Sequence, residues 1–205
     1  MIEIIQIKVG KMDNFLYIIP ARASFVVIDP SWGFEKIKEY SLKTSKKLSA
    51  VLLTHGHFDH SNDIDKLAKE YGVDIYLSNE DAEFVDFKYD FKSPSDGKEL
   101  NIDGIRIKVL STPGHTPGSV CYLYENNIFT GDTLFCKACG RVDLPKSDPE
   151  EMRKSLLKLS SLSNDTVVWP GHDYNGFKTT IGEEKENNIF LKMASFRDEF
   201  LSIVL

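Results

Sequence analysis

The sequence predicts an α/β protein in which hairpin-connected strands form two sheets, or one large mixed sheet, with helices laid over them. Three observations carry this expectation. Apolar runs of strand length recur along the chain, punctuated by Gly, Pro, Asn and Asp. Two pairs of runs are joined by turn-forming residues. Segments with helix-start and helix-stop chemistry lie between and after them.

In chain order, Glu3–Val9, Phe15–Pro20 and Phe25–Asp29 read as strands, and Leu48–Thr54 as a further apolar strand. A helix is expected next, capped by Ser61 or Asn62, with Ile64, Leu67, Ala68 and Tyr71 as its apolar stripe and Gly72 as its stop. Val73–Leu77 reads as a strand and Glu80–Phe87 as a short helix. Asp103-Gly104 between Leu100–Ile102 and Ile105–Leu110 signals a hairpin. A second hairpin pairs Val120–Tyr124 with Ile128–Thr130 across Glu125-Asn126-Asn127. Asp148, Pro149 and Glu151 form a helix start, and Met152, Leu156, Leu157 and Leu159 would then face the core. Thr166–Trp169 is a short strand, and 183–201 a helix that Asn188 weakens.

At 205 residues and 41% hydrophobic, the chain suits one domain over residues 1–205. A net charge of −6, with lysines scattered rather than blocked, excludes a nucleic-acid-binding surface. The segment Met1–Gln6 has no basic and apolar leader pattern, and no run approaches a membrane span. Three cysteines fit a reducing compartment. The expectation is a cytoplasmic protein, monomer or homodimer, acting on a small molecule without nucleic-acid or membrane partners.

All five histidines fall in metal-ligand motifs. Four sit in Thr54-His55-Gly56-His57-Phe58-Asp59-His60 and Gly114-His115-Thr116-Pro117-Gly118; the fifth is in Pro170-Gly171-His172-Asp173-Tyr174. Asp132, in Thr130-Gly131-Asp132-Thr133, joins them. A lone loop histidine is ordinarily a surface residue, but four ligand-type residues within the six positions 55–60 serve no packing need. Two apart on an extended loop, His55 and His57 point to one side. Asp59 and His60 follow where a helix should begin, so they can face a second position. His115 arrives from another loop, Asp132 can bridge two cations, and His172 can close the second site. Imidazole and carboxylate donors suit two divalent metals, zinc above all, with iron or manganese also compatible. Such a pair can share a water, make it a hydroxide near neutral pH and hold a carbonyl or phosphoryl oxygen. Every ligand motif follows a predicted strand, which gives the rigid support catalysis needs.

These residues resemble the metallo-β-lactamase-fold hydrolases. The H-x-H-x-D-H run, His115 in H-T-P-G-S, Asp132 in G-D-T-L-F and His172 in G-H-D match that superfamily's four ligand motifs in order, over about residues 15–190. The resemblance implies an αββα sandwich, with the metal site at the edge between two mixed sheets. It implies one metal on His55, His57 and His115, another on Asp59, His60 and His172, and Asp132 bridging. An aspartate at 132 and a histidine at 60 set the chain apart from subclass B1 lactamases. His57 sets it apart from flavodiiron proteins, and its charge and length from the transfer-RNA-processing members.

Within the superfamily it is most similar to short hydroxyacylglutathione hydrolase (glyoxalase II)-like proteins. Gly131-Asp132-Thr133-Leu134-Phe135 followed by Cys139-Gly140-Arg141 looks like their G-D-T-L-F…C-G-R/K run, and Tyr174 matches a glutathione-contacting tyrosine. This implies thioester hydrolysis by a metal-bridging hydroxide, with Asp59 and Asp132 catalytic and Arg141 and Tyr174 binding substrate. Full-length glyoxalase II has a C-terminal helical domain supplying further glutathione contacts, for which this sequence has no room, so the resemblance implies the thioester and leaves its thiol open. Cys139–Asp143 and His172–Gly176 also resemble persulfide dioxygenases, whose single iron is held by the equivalents of His55, His115 and Asp132; Thr133-Leu134-Phe135 favours the hydrolases.

Cys136-Lys137-Ala138-Cys139 has neither a second cysteine pair nor a spare histidine, so it reads as a coincidence in a site-lining loop. Arg141 and Asp143 are equally suited to pair with one another. Trp32 and Ile203-Val204-Leu205 are expected in packing or a subunit contact.

Overall fold

A computed structural model describes residues 3–205. Met1 and Ile2, on which the reading of the N-terminus partly rests, lie outside the described residues. The first sheet takes β1 (Ile5–Val9), β2 (Asn14–Pro20), β3 (Ser24–Ile28), β4 (Lys47–Leu52) and β5 (Asp74–Tyr76) in that spatial order. Its first two pairings are antiparallel and its last two parallel. Helix α1 (Phe34–Thr44) crosses from β3 to β4. Helices α2 (Phe58–Ser61) and α3 (Ile64–Tyr71) lead to β5, and a 3₁₀ helix (Asn79–Phe84) follows it.

The second sheet uses β6 (Glu99–Ile102), β7 (Ile105–Ser111), β8 (Val120–Tyr124) and β9 (Asn127–Gly131) as an antiparallel meander. A small hairpin of β10 (Leu134–Phe135) and β11 (Ala138–Cys139) stands beside it. After α4 (Pro149–Ser160), β12 (Val167–Pro170) joins β9 in parallel, and β13 (Thr179–Thr180) closes the edge. Helices α5 (Ile181–Asn187), α6 (Ile189–Met193) and α7 (Arg197–Val204) end the chain.

Side-chain alternation assembles four layers. Along β2, Phe15, Tyr17 and Ile19 face the second sheet, where Ile107, Val109, Tyr122 and Phe129 meet them. Leu16 and Ile18 face the other way, into a core shared with Ile37 of α1 and Ile64 and Leu67 of α3. Met152, Leu156 and Leu159 of α4, with Leu191 and Phe200, cover the far face of the second sheet. Strands buried on both faces read as unbroken apolar runs, which is why β2 and β3 are so hydrophobic. The architecture is the αββα sandwich, and the expected fold class holds.

Several local expectations are corrected. Helix α1 was not foreseen: Gly33 offers no capping side chain, and only Ile37 is fully buried. The α3 cap position is Asp63, because Ser61 belongs to α2 and Asn62 turns its Oδ1 to the Trp32 amide. The C-terminal helix is three helices. Asn188 ends α5 and caps α6, accepting from the Phe190 and Leu191 amides. Leu157 is only partly buried, whereas Met152, Leu156 and Leu159 are fully so. No helix among the described residues is long and apolar enough to cross a membrane.

Candidate metal centre

Four strands deliver the site. The His55–His60 loop leaves β4, the His115 loop leaves β7, Asp132 follows β9 and His172 follows β12. All seven residues expected as ligands converge at one end of the sandwich. His57 Nδ1 lies 3.0 Å from His115 Nε2, and the His55 ring centre is 4.8 Å and 5.0 Å from theirs. On the other side, His60 Nε2 is 3.2 Å from His172 Nε2, and Asp59 Oδ2 is 3.4 Å from His172 and 3.6 Å from His60. Asp132 lies between the groups. Its Oδ1 is 3.3 Å from His60 Nε2, and its Oδ2 is 3.3 Å from His172 Nε2 and 3.6 Å from His115 Nε2.

Outer contacts from elsewhere in the fold aim three of the imidazoles. His60 Nδ1 is 3.0 Å from Asp29 Oδ2, His115 Nδ1 is 2.9 Å from the Arg141 carbonyl, and His172 Nδ1 is 2.7 Å from the Met12 carbonyl. Each partner accepts, so each Nδ1 carries a proton and each Nε2 is the atom turned to the centre, with a lone pair for metal in the neutral ring. Asp29 also accepts from the Thr54 amide and hydroxyl, which locks the start of the first histidine loop. Gly171 passes so close to Asp132 that a Cβ there would strike its carboxylate.

The titration pattern follows from burial and crowding. Burial, with His60 beside it, pushes His55 well below the usual histidine range; burial and His115 bring His57 to about 4. Burial lowers His172 too, but Asp132 and Asp59 outweigh it and raise the imidazole to about 9. His60 is likewise raised, with Asp132 and Asp29 overcoming burial. Burial opposes ionisation of Asp59, yet hydrogen bonding from His172, the charge of His60 and the Asn14 amide hold it at about 2. Asp132 is driven well below the carboxylate range by His60 and His172, against its burial.

The arrangement fits metal. His55 Nε2 and Asp132 Oδ1 are buried without a hydrogen-bond partner, a cost that coordination would remove. Tetrahedral zinc, with bonds of about 2.0–2.2 Å, sets neighbouring ligand atoms roughly 3.3–3.6 Å apart. The Asp59, His60 and His172 donors are separated by 3.2, 3.4 and 3.6 Å.

Tyr174 stacks on His172 with ring centres 4.6 Å apart and stands half-exposed at the mouth, against Phe135. Arg141 reaches solvent and is held by Asp143 through two 2.8 Å hydrogen bonds. Trp32 meets Phe58 edge-on at the rim. Cys136 and Cys139 are free thiols on the β10–β11 hairpin, pushed by burial to about 11 and about 12, far from a reactive thiolate.

Sequence reasoning missed Asn14, Asp29 and Asp81, all buried polar residues that hold the ligand loops. Asp29 had one signal, an acidic residue closing an apolar strand; Asn14 and Asp81 had none beyond residue type.

A family model for the metallo-beta-lactamase superfamily matches residues 14–172. Over 165 residues the sequence is 38% identical to the probable polyketide biosynthesis zinc-dependent hydrolase PksB of Bacillus subtilis, covering 78% of this chain and 73% of that one. It is 34% identical over 189 residues to the hydroxyacylglutathione hydrolase GloC of Haemophilus influenzae, covering 82% and 88%. The crystal structure of ETHE1 from Myxococcus xanthus superposes with a TM-score of 0.88 at 29% identity, over 98% of this chain and 89% of that one.

Proposed function

The chain belongs to the metallo-beta-lactamase superfamily, and from that premise we propose that it hydrolyses a small-molecule thioester at a centre of two divalent metals, zinc by preference. One observation carries the reading: Asp132 stands between two donor groups, 3.6 Å from His115 in one and 3.3 Å from His60 and His172 in the other. His55, His57 and His115 would hold one metal, Asp59, His60 and His172 the other, with Asp132 reaching both. When bound, the pair supplies a water activated near neutral pH and an electrophilic anchor for the scissile carbonyl oxygen.

The chain's own groups do the rest. Asp59 stays ionised throughout the neutral range, so it can accept a hydrogen from the attacking water and orient it. The Asp29, Arg141 and Met12 acceptors keep three imidazoles from rotating during the reaction. The exposed Tyr174 ring, backed by the buried Phe135, would give the thiol portion an aromatic face to lie along. Arg141 would meet a substrate carboxylate only by sharing its guanidinium with Asp143. A thiol of ordinary pKa, about 8.5, departs as thiolate without a dedicated general acid. The hydrolase names of the PksB and GloC relatives accord with this chemistry.

The test is release of free thiol from a panel of acyl thioesters by zinc-loaded protein. Turnover abolished by chelator and restored by zinc is expected. No turnover of any thioester by fully loaded protein refutes the proposal. A second reading, iron-dependent persulfide oxygenation, has one observation in its favour: His55, His115 and Asp132 form a two-histidine, one-carboxylate set, with the latter two 3.6 Å apart. Oxygen uptake with glutathione persulfide separates the two.

A further inference from the structure

The second donor group has a neighbour that the ligand motifs do not contain. Asn14 opens β2 and is 1% exposed. Its Nδ2 donates to Asp59 twice, to Oδ2 at 3.0 Å and to the main-chain carbonyl at 3.1 Å. The same nitrogen lies 3.5 Å from both His60 Nε2 and His172 Nε2. The amide nitrogen therefore caps the Asp59–His60–His172 triangle.

Its orientation is determined by its neighbours. Asp59 Oδ2 and the Asp59 main-chain carbonyl are acceptors whatever the protonation of the neighbouring imidazoles. An amide NH₂ has two hydrogens for these two acceptors, whereas an amide oxygen there would face their lone pairs. Consistent with this, Asn14 Oδ1 points elsewhere and is buried without a partner. An N–H donor is no metal ligand, so Asn14 acts through Asp59, holding its carboxylate toward the two imidazoles.

The backbone around Asn14 has the same target. The residue pairs with His172 in an isolated antiparallel bridge, the Phe15 amide donates to the Gly171 carbonyl at 2.8 Å, and the Asp173 amide donates to the Asp13 carbonyl at 2.9 Å. The β1–β2 turn thus grips the His172 loop, and the Asn14 side chain spans from there to Asp59. No hydrogen bond from Asn14 reaches His55, His57 or His115.

We propose that Asn14 is a positioning residue for the second metal alone: by aligning Asp59 with His60 and His172 it decides whether the centre holds two metals or one. This rests on the binuclear reading given above. Loss of an outer-shell partner ordinarily weakens metal binding about 10–100-fold.

The experiment is a zinc titration against a chromophoric chelator, run on chelator-stripped wild type and on Asn14→Leu, which keeps the branched heavy-atom shape and removes the amide. Cobalt spectra report the geometry of each position. Asn14→Ala serves if the leucine variant does not fold, and melting of the stripped proteins establishes folding independently of metal. The expected result is a first equivalent bound as in wild type and a second weakened at least tenfold, with the second-site cobalt bands lost. A second affinity within threefold of wild type overturns the inference, as does equal weakening of both. Wild type that takes only one metal overturns the binuclear reading and this inference with it, whereas two metals bound with unchanged affinities in both proteins overturns the inference alone.

Discussion

Asp81 offers the most demanding test of how the first donor group is built. It lies on the 3₁₀ helix with no exposed surface. Its Oδ2 accepts from the Gly56 amide at 2.8 Å and the Thr116 hydroxyl at 2.7 Å, and its Oδ1 accepts from the Gly118 amide at 2.7 Å. One carboxylate thus ties the His55–His57 loop to the His115 loop. The fit leaves no slack, since a Cβ on Gly118 would lie 2.6 Å from Asp81 Oδ1. Asp81→Asn keeps the shape but turns one acceptor into a donor, so whichever way the amide lies, one backbone N–H loses its partner. A buried donor left unsatisfied costs about 1–3 kcal/mol, which for a chain of this size lowers the melting temperature by roughly 2–12 °C. Because both loops carry proposed ligands, zinc affinity at the first position should also fall, about 10–100-fold. Calorimetry of stripped protein and a chelator competition measure the two effects. An Asp81→Asn protein that melts within 1 °C of wild type and binds the first zinc unchanged would refute the reasoning.

Other outcomes follow from the same geometry. Asp132→Ala removes the one carboxylate that reaches both donor groups; thiol release should be abolished while circular dichroism stays that of wild type, and retained turnover in a metal-analysed sample contradicts the bridging assignment. His172, raised to about 9, gives stripped protein stability that is complete below the ordinary histidine pKa of about 6.5 and lost as pH rises toward 9. Metal binding needs the same lone pair, so loading near pH 7.5 must release protons. Calorimetry in buffers of different ionisation enthalpy reads that release directly, and a buffer-independent heat contradicts it.

The candidate ligand set was legible because each motif is local: four of its residues lie in one six-residue stretch, and the other three sit beside glycines that follow apolar strands. The layers were legible for a related reason, since strand runs, the Asp103-Gly104 turn and the Asp148-Pro149 helix start all act over a few residues. What supports the ligands was hidden because it acts at long range. Asn14 reaches Asp59 across 45 positions, Asp81 reaches Gly118 across 37, and the Met12 carbonyl meets His172 across 160. Nothing near those residues in sequence marks them. Helix α1 was hidden differently: its one fully buried residue and uncapped start leave only a weak helical signature beside emphatic strands.

The most direct test of the central claim is thioester turnover followed as zinc is added back to stripped protein, with metal per chain measured in each sample by elemental mass spectrometry. The account predicts that turnover appears as the second zinc loads and saturates at two per chain. Full turnover at one metal per chain, with no gain from a second, would contradict it.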